Sequence, residues 1–172
     1  MPDSPFGDVR DDFPVKLIEK VTPEFVEKVK EIAARVHVEP LNLLAVMSFE
    51  SGFNPKAVNK HSGATGLIQF LKSTAKGLGT TTDKLEEMTA LEQLVFVEKY
   101  FAQFKQKLAQ HHTLEDTYMA VLFPAAIGKG ADHVLFKKPS VRYTQNSGLD
   151  GNKDGTVTVR EAAAKVRARI IA

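Results

Sequence analysis

The stretch LAVMSFESGFNPKAVNKHSGATGLIQF, residues 44–70, decides how the rest of the chain is read. It opens as an apolar, helix-like run and then sets a glutamate and a serine, Glu50 and Ser51, directly before a turn at Gly52. A polar loop follows with Asn54, Pro55, Asn59, His61 and Ser62, and order resumes through Gly63-Ala64-Thr65-Gly66-Leu67-Ile68-Gln69-Phe70. A carboxylate that ends an apolar helix and faces a glycine-rich loop is an unusual placement. Burial without a cationic partner raises a carboxyl pKa, so such a glutamate holds its proton near neutral pH, as a general acid must. Taken alone, Glu50-Ser51-Gly52 reads more simply as a solvent-facing helix end.

The whole stretch carries more. Glu50-Ser51-Gly52-Phe53-Asn54-Pro55 followed by Gly66-Leu67-Ile68-Gln69 resembles the core of the soluble lytic transglycosylases, lysozyme-like muramidases that cut peptidoglycan. In that family a helix ends in Glu-Ser, the glutamate is the sole catalytic acid/base, and a Gly-Leu-Met-Gln segment lines the sugar cleft. This chain matches both motifs, with Ile68 in the methionine position. The resemblance covers roughly residues 20–140. It implies a mainly α-helical, goose-type lysozyme-like domain, with Glu50 catalytic and with Ser51 and Gln69 near the glycan.

The bounds agree. With 172 residues the chain reads as one domain long enough to bury a core. Its 43% hydrophobic and 26% charged residues are those of an ordinary soluble protein. A net charge of +2 is too small to imply nucleic acid but suits a mildly anionic polymer such as cell wall. There is no cysteine, hence no disulfide staple. No apolar run approaches a membrane span, and residues 1–14 lack the basic flank and apolar core of a signal peptide. With Pro2, Pro5 and Pro14 that segment reads as a poorly ordered lead, followed by a catalytic domain over 15–143 and a terminal unit over 144–172 packed on it.

Thr22-Pro23-Glu24 marks a helix start, and Phe25, Val29, Ile32, Ala33 and Val36 recur at helical spacing. Pro40 opens the next helix, from Leu41 to about Glu50, which is apolar almost all round and so central. Ser51 either orients the Glu50 carboxylate or satisfies backbone. Asn59 and His61 read first as exposed loop residues, and Gln69 sits on a turn opening a helix to about Lys76. Thr82 reads as a cap, and Thr89 with Glu92 as a capping box starting one long helix through Leu108. The adjacent His111 and His112 cannot comfortably chelate one ion. Thr113 caps a helix from Leu114 to about Phe123.

In the transglycosylases an Ala-Tyr-Asn-Ala-Gly segment follows, whose tyrosine and asparagine face the substrate. Here Leu122-Phe123-Pro124-Ala125-Ala126 stands in its place, with Phe123 for the tyrosine and Pro124 for the asparagine. That departure is closer to the phage endolysin branch. Tyr118 and Tyr143 are the candidates to supply a phenol to the sugar, against ordinary packing.

Residues 150–161 fit D-x-[DN]-x-[DN]-G-x5-E without mismatch. Asp150, Asn152 and Asp154 would give side-chain oxygens to Ca2+, Thr156 its carbonyl, Thr158 a direct or water-borne ligand, and Glu161 both carboxylate oxygens, with Gly155 making the turn. The competing reading is an acidic turn in which Thr158 and Glu161 box the last helix, Arg160 to Ile170. Gln145-Asn146-Ser147-Gly148-Leu149 is a poor helix, so the loop resembles a single dockerin-like EF-hand with a structural ion.

A two-carboxylate hydrolase needs a second acid roughly 5–10 Å from the first. No acid lies between Glu50 and Asp83, and nothing marks Glu86, Glu87 or Glu98 for the task. The resemblance instead implies that Glu50 protonates the glycosidic oxygen between N-acetylmuramic acid and N-acetylglucosamine. It then deprotonates the muramyl 6-hydroxyl to close a 1,6-anhydro ring. A single-acid hydrolase would have the same sequence, and a glycan-binding or tail-structural protein remains open. The expected partner is the peptidoglycan strand, met by a monomer that is made in the cytoplasm as a phage endolysin or virion-associated enzyme, or as an exported effector.

Overall fold

The chain, described over residues 9–171 of a computed structural model, enters through a 3-10 turn (Val9–Asp12) and a single helical turn, α1 (Val15–Ile18). Residues 1–8 of the expected lead lie outside the described residues. The remainder of that lead is anchored: Val9 and Phe13 pack on the core, and the Arg10 guanidinium donates to the Val21 carbonyl at 3.1 Å. Helix α2 (Pro23–Val36) starts where Thr22 Oγ1 accepts from the Phe25 N–H and ends at His37 in the left-handed region. Its apolar face is wholly enclosed, with Val26, Val29, Ile32 and Ala33 at zero exposure.

Helix α3 (Pro40–Ser51) is the centre of the fold. Leu43 to Met47 are fully buried in sequence, which only a helix covered on every side can show. The cover comes from α2, from α8 (Leu114–Leu122) and from α10 (Val159–Ile171). Between them lie α4 (Lys72–Gly77), α5 (Thr82–Glu87), α6 (Ala90–Ala102), α7 (Lys105–Gln110) and α9 (Val141–Gln145). Thr81, not Thr82, caps α5, accepting from the Lys84 N–H at 3.1 Å. The capping box of Thr89 and Glu92 opens α6 with both of its hydrogen bonds made.

The single helix expected from Ala90 through Leu108 is two. The Phe104 N–H closes on the Phe101 carbonyl at 2.9 Å, and the axis turns there, which keeps Phe104 against the Tyr100 ring and still buries Leu108. A two-stranded antiparallel sheet joins β1 (Val134–Lys137) to β2 (Thr156–Thr158), burying Phe136 and Val157. Through that pairing, and through α10 on α3 and α8, residues 144–171 share the core of the preceding chain. Among the described residues no helix is long and apolar enough to cross a membrane.

Candidate active site

Helix α3 carries Glu50 to the edge of the core and stops abruptly. Gly52 and Phe53 both take positive φ, and the Gly52 N–H returns to the Ser48 carbonyl at 2.9 Å. Phe53 then turns inward and meets Phe25 edge-on at 5.8 Å, which locks the chain reversal behind the acid. Glu50 itself is half-buried. Burial pushes its carboxyl from 4.5 up to about 7, and no charged neighbour contributes. The groups that feel its charge are two phenols, Tyr100 of α6 and Tyr118 of α8. Burial first and Glu50 second raise both, Tyr100 to about 12.

Beside the end of α3, residues 64–70 form a tight turn and not a helix start. The backbones of Thr65 and Phe70 exchange both hydrogen bonds, at 2.9 and 2.8 Å, while Gly66 and Gln69 adopt positive φ. Helix α4 begins three residues later, at Lys72. Gln69 uses its amide nitrogen on this turn, donating to the Ala57 and Gly66 carbonyls at 3.1 Å each, which leaves the amide oxygen as its free polar atom. Ser51 Oγ lies 2.8 Å from the Leu67 carbonyl and 3.1 Å from that of Met47, so it ties α3 to the turn and does not bind the Glu50 carboxylate. Asn59 Oδ1 accepts from the N–H groups of His61 and Ser62 and shapes the loop, while His61 is exposed.

The sequence reading missed Gln93, which holds this wall up. It is fully buried on α6; its Oε1 accepts from the Leu67 N–H at 2.6 Å, and its amide donates to the carbonyls of Pro55 and Leu85, both at 2.9 Å. Only glycine fits at 66, since a Cβ there would sit 2.3 Å from Gln93 Oε1. The available signal was a polar residue one and two helical turns before the buried Val97 and the half-buried Tyr100. Tyr100 belongs to the same group of residues that no motif marks: its hydroxyl donates to the Ala120 carbonyl at 2.5 Å and its ring stands within the field of Glu50.

The remaining candidates divide. Tyr118 is 3% exposed and packs edge-on at 5.8 Å against Phe49, the residue before the acid. Phe123 is half-buried, its ring edge-on to Phe136 at 6.0 Å and beneath the Arg142 guanidinium at 5.5 Å, so its contacts are with β1 and α9. Tyr143 has a different partner from the one expected. Its phenol is buried and donates to Asp150 Oδ2 at 2.6 Å, inside the acidic loop, so it is not a phenol offered to sugar. As for a second acid, Glu98 is engaged by Arg35 through two 2.8 Å bonds, and Glu86 and Glu87 sit with Lys56 and Asp83. A surface hollow among Lys138, Pro139, Val141, Tyr143 and Thr144 does not include Glu50 in its lining.

In the acidic loop one oxygen from each of Asp150, Asp154 and Glu161 falls within 4.8 Å of the others. Gly155 turns at φ +86°, and its N–H donates to Asp150 Oδ2 at 3.0 Å. Asn152 Oδ1 and Asp150 Oδ1 both accept from the Asp154 N–H, and Asp154 Oδ1 from Thr156. Glu161 closes the loop on the Gly151 N–H and also completes a capping box with Thr158 at the start of α10. Hydrogen bonds from Tyr143 and then from the loop backbone hold the Asp150 carboxyl below the usual range.

No curated protein matches the chain closely. The profile of the Transglycosylase SLT domain matches residues 27–115, just over half of the sequence, from the first turns of α2 to the start of α8. That span holds Glu50, the Gly66–Gln69 turn, Gln93 and Tyr100. The chain belongs to the Transglycosylase SLT domain family.

Proposed function

We propose that the protein cleaves the β-1,4 bond between N-acetylmuramic acid and N-acetylglucosamine in peptidoglycan as a lytic transglycosylase. The supporting observation is Glu50, a carboxyl held near pH 7 by burial alone, with no other carboxylate among the causes of its shift. In this reading Glu50 donates its proton to the glycosidic oxygen as the bond to the muramyl anomeric carbon breaks. The carboxylate so formed takes the proton of the muramyl 6-hydroxyl, whose oxygen closes on the anomeric carbon. A pKa near working pH suits both steps, because the same group must give a proton and take one back. The Ser51 tie and the Gln93 strut keep the Gly66–Gln69 turn against the acid, and the Gln69 amide oxygen remains to accept from a sugar hydroxyl or amide.

The acidic loop is read as a structural Ca2+ site. Its donor set is all oxygen, with three carboxylates converging, and the loop backbone already takes the sharp turn that such ions require. Bound there, the ion would supply fixed charge and cross-links at the start of α10, with no part in the sugar chemistry. The biological setting proposed is bacterial cell-wall lysis by a phage endolysin or virion-associated enzyme.

Mass spectrometry of muropeptides released from purified peptidoglycan tests the reading, with Glu50→Gln beside the parent. Anhydro-muramyl ends that disappear in E50Q are the expected result. Reducing muramyl ends would make the protein a single-acid hydrolase. No released product from the parent would leave a glycan-binding protein.

A further inference from the structure

The chain has three tyrosines, and the structure gives two of their hydroxyls a partner. Tyr100 donates to the Ala120 carbonyl and Tyr143 to Asp150. Tyr118 differs. Its side chain is 97% enclosed, with the ring edge-on to Phe49, yet no protein group bonds its hydroxyl. Among the described residues every sealed side-chain nitrogen or oxygen has a hydrogen-bond partner. The Tyr118 hydroxyl, which has none, is therefore not sealed: the ring is in the core and the oxygen opens to solvent.

That opening lies beside the acid. Helices α3 and α8 pack together, Phe49 directly precedes Glu50, and the Glu50 charge acts on the phenol. Neither side chain makes a hydrogen bond within the described residues, so both keep their polar atoms for a ligand. Burial and the Glu50 charge both hold the phenol protonated, so it is a neutral donor at any working pH. A desolvated donor without a partner is costly, and an acceptor brought by a ligand removes the cost.

We propose that the Tyr118 hydroxyl donates to the acetamido carbonyl of the N-acetyl sugar seated beside Glu50, the contact for which Leu122-Phe123-Pro124-Ala125-Ala126 offers no polar side chain. Of the acceptors on such a glycan, the acetamide oxygen is the one a plain glucan lacks, so this single phenol selects N-acetylated strands. The proposal rests on the glycan-cleaving role given to Glu50.

Tyr118→Phe removes the hydroxyl and keeps the ring on Phe49. In an E50Q background, so that nothing is turned over, the affinity for N-acetylchitohexaose is measured by calorimetry with and without Y118F, beside the fully N-deacetylated oligomer. The expected result is a roughly three- to tenfold weaker affinity for the acetylated oligomer, the worth of one such hydrogen bond, with no comparable change for the deacetylated one and an unchanged Tm. Unchanged affinity for the acetylated oligomer overturns the inference, and so does an equal loss for both oligomers, which would make Tyr118 a support for Glu50. In either case cleavage of peptidoglycan by the parent shows that the reading of Glu50 stands. A parent that neither binds nor cleaves removes both.

Discussion

Replacing Glu50 by glutamine keeps size and polarity and removes one ionisation. Burial lifts the folded-state pKa from 4.5 to about 7, so the folded protein holds this proton more tightly than the unfolded chain does. The stability gained from that tighter hold is complete below pH 4.5 and is lost as pH rises through about 7. At 1.36 kcal/mol per unit such a shift is worth about 3 kcal/mol, and the residual water contact of a half-buried side chain lowers the expectation to about 2 kcal/mol. Every other titrating group cancels between E50Q and the parent. Urea unfolding followed by far-UV circular dichroism at half-unit pH steps should find the two equally stable near pH 4. By pH 8.5 E50Q should be more stable by about 2 kcal/mol, with a Tm higher by roughly 4–8 °C. A difference that stays flat with pH, or a less stable E50Q in alkali, refutes burial as the source of the raised pKa.

Other consequences follow from single contacts. Gly66→Ala puts a Cβ 2.3 Å from Gln93 Oε1 at a φ of +88° and should cost about 2–4 kcal/mol in thermal unfolding, with muropeptide release falling alongside. Tyr100→Phe leaves the Ala120 carbonyl without its 2.5 Å donor while the edge contacts with Phe70, Phe101 and Phe104 remain. It should lose about 1–2 kcal/mol in urea unfolding. Thr89→Ala removes the capping box of α6 and should lower stability by about 1 kcal/mol. Calcium should raise the Tm of the parent, by the equivalent of about 2.7 kcal/mol at a hundred times its dissociation constant. Chelation should reverse the rise and Glu161→Ala should abolish it; an E161A protein that still responds would rule the loop out.

Where the chemistry of a turn is local, the sequence shows it. Thr22-Pro23 opens α2, Thr89 with Glu92 opens α6, and Gly52 ends α3 just beyond Glu50, each by groups within four residues of one another. The placement of Glu50 was legible for the same reason, at the foot of an apolar helix closed by Gly52. Long-range facts were not. The break between α6 and α7 has no glycine or proline, and Phe104 and Leu108 continue the apolar spacing across it. Strand β1 is four residues long and exists because residues 156–158 supply its ladder. The two uncommitted-looking tyrosines could not be told apart from spacing, because what separates them is the Asp150 carboxylate reaching one phenol and nothing reaching the other.

The raised pKa of Glu50 is a property of packing, and that places its determinants in the elements that enclose α3. No charge contributes to its shift, so the lever available is how completely α3 is enclosed. Part of that enclosure comes from α2, inside the matched span, but α10 and nearly all of α8 lie beyond residue 115. Helix α10 is held at its first turn by the Thr158–Glu161 box, and Glu161 also grips the Gly151 N–H of the loop that Tyr143 ties through Asp150. The loop therefore fixes the start of a helix that packs directly on α3. Glu50 and the helices that enclose α3 are separate in sequence, and those helices extend well past the stretch that the family profile matches.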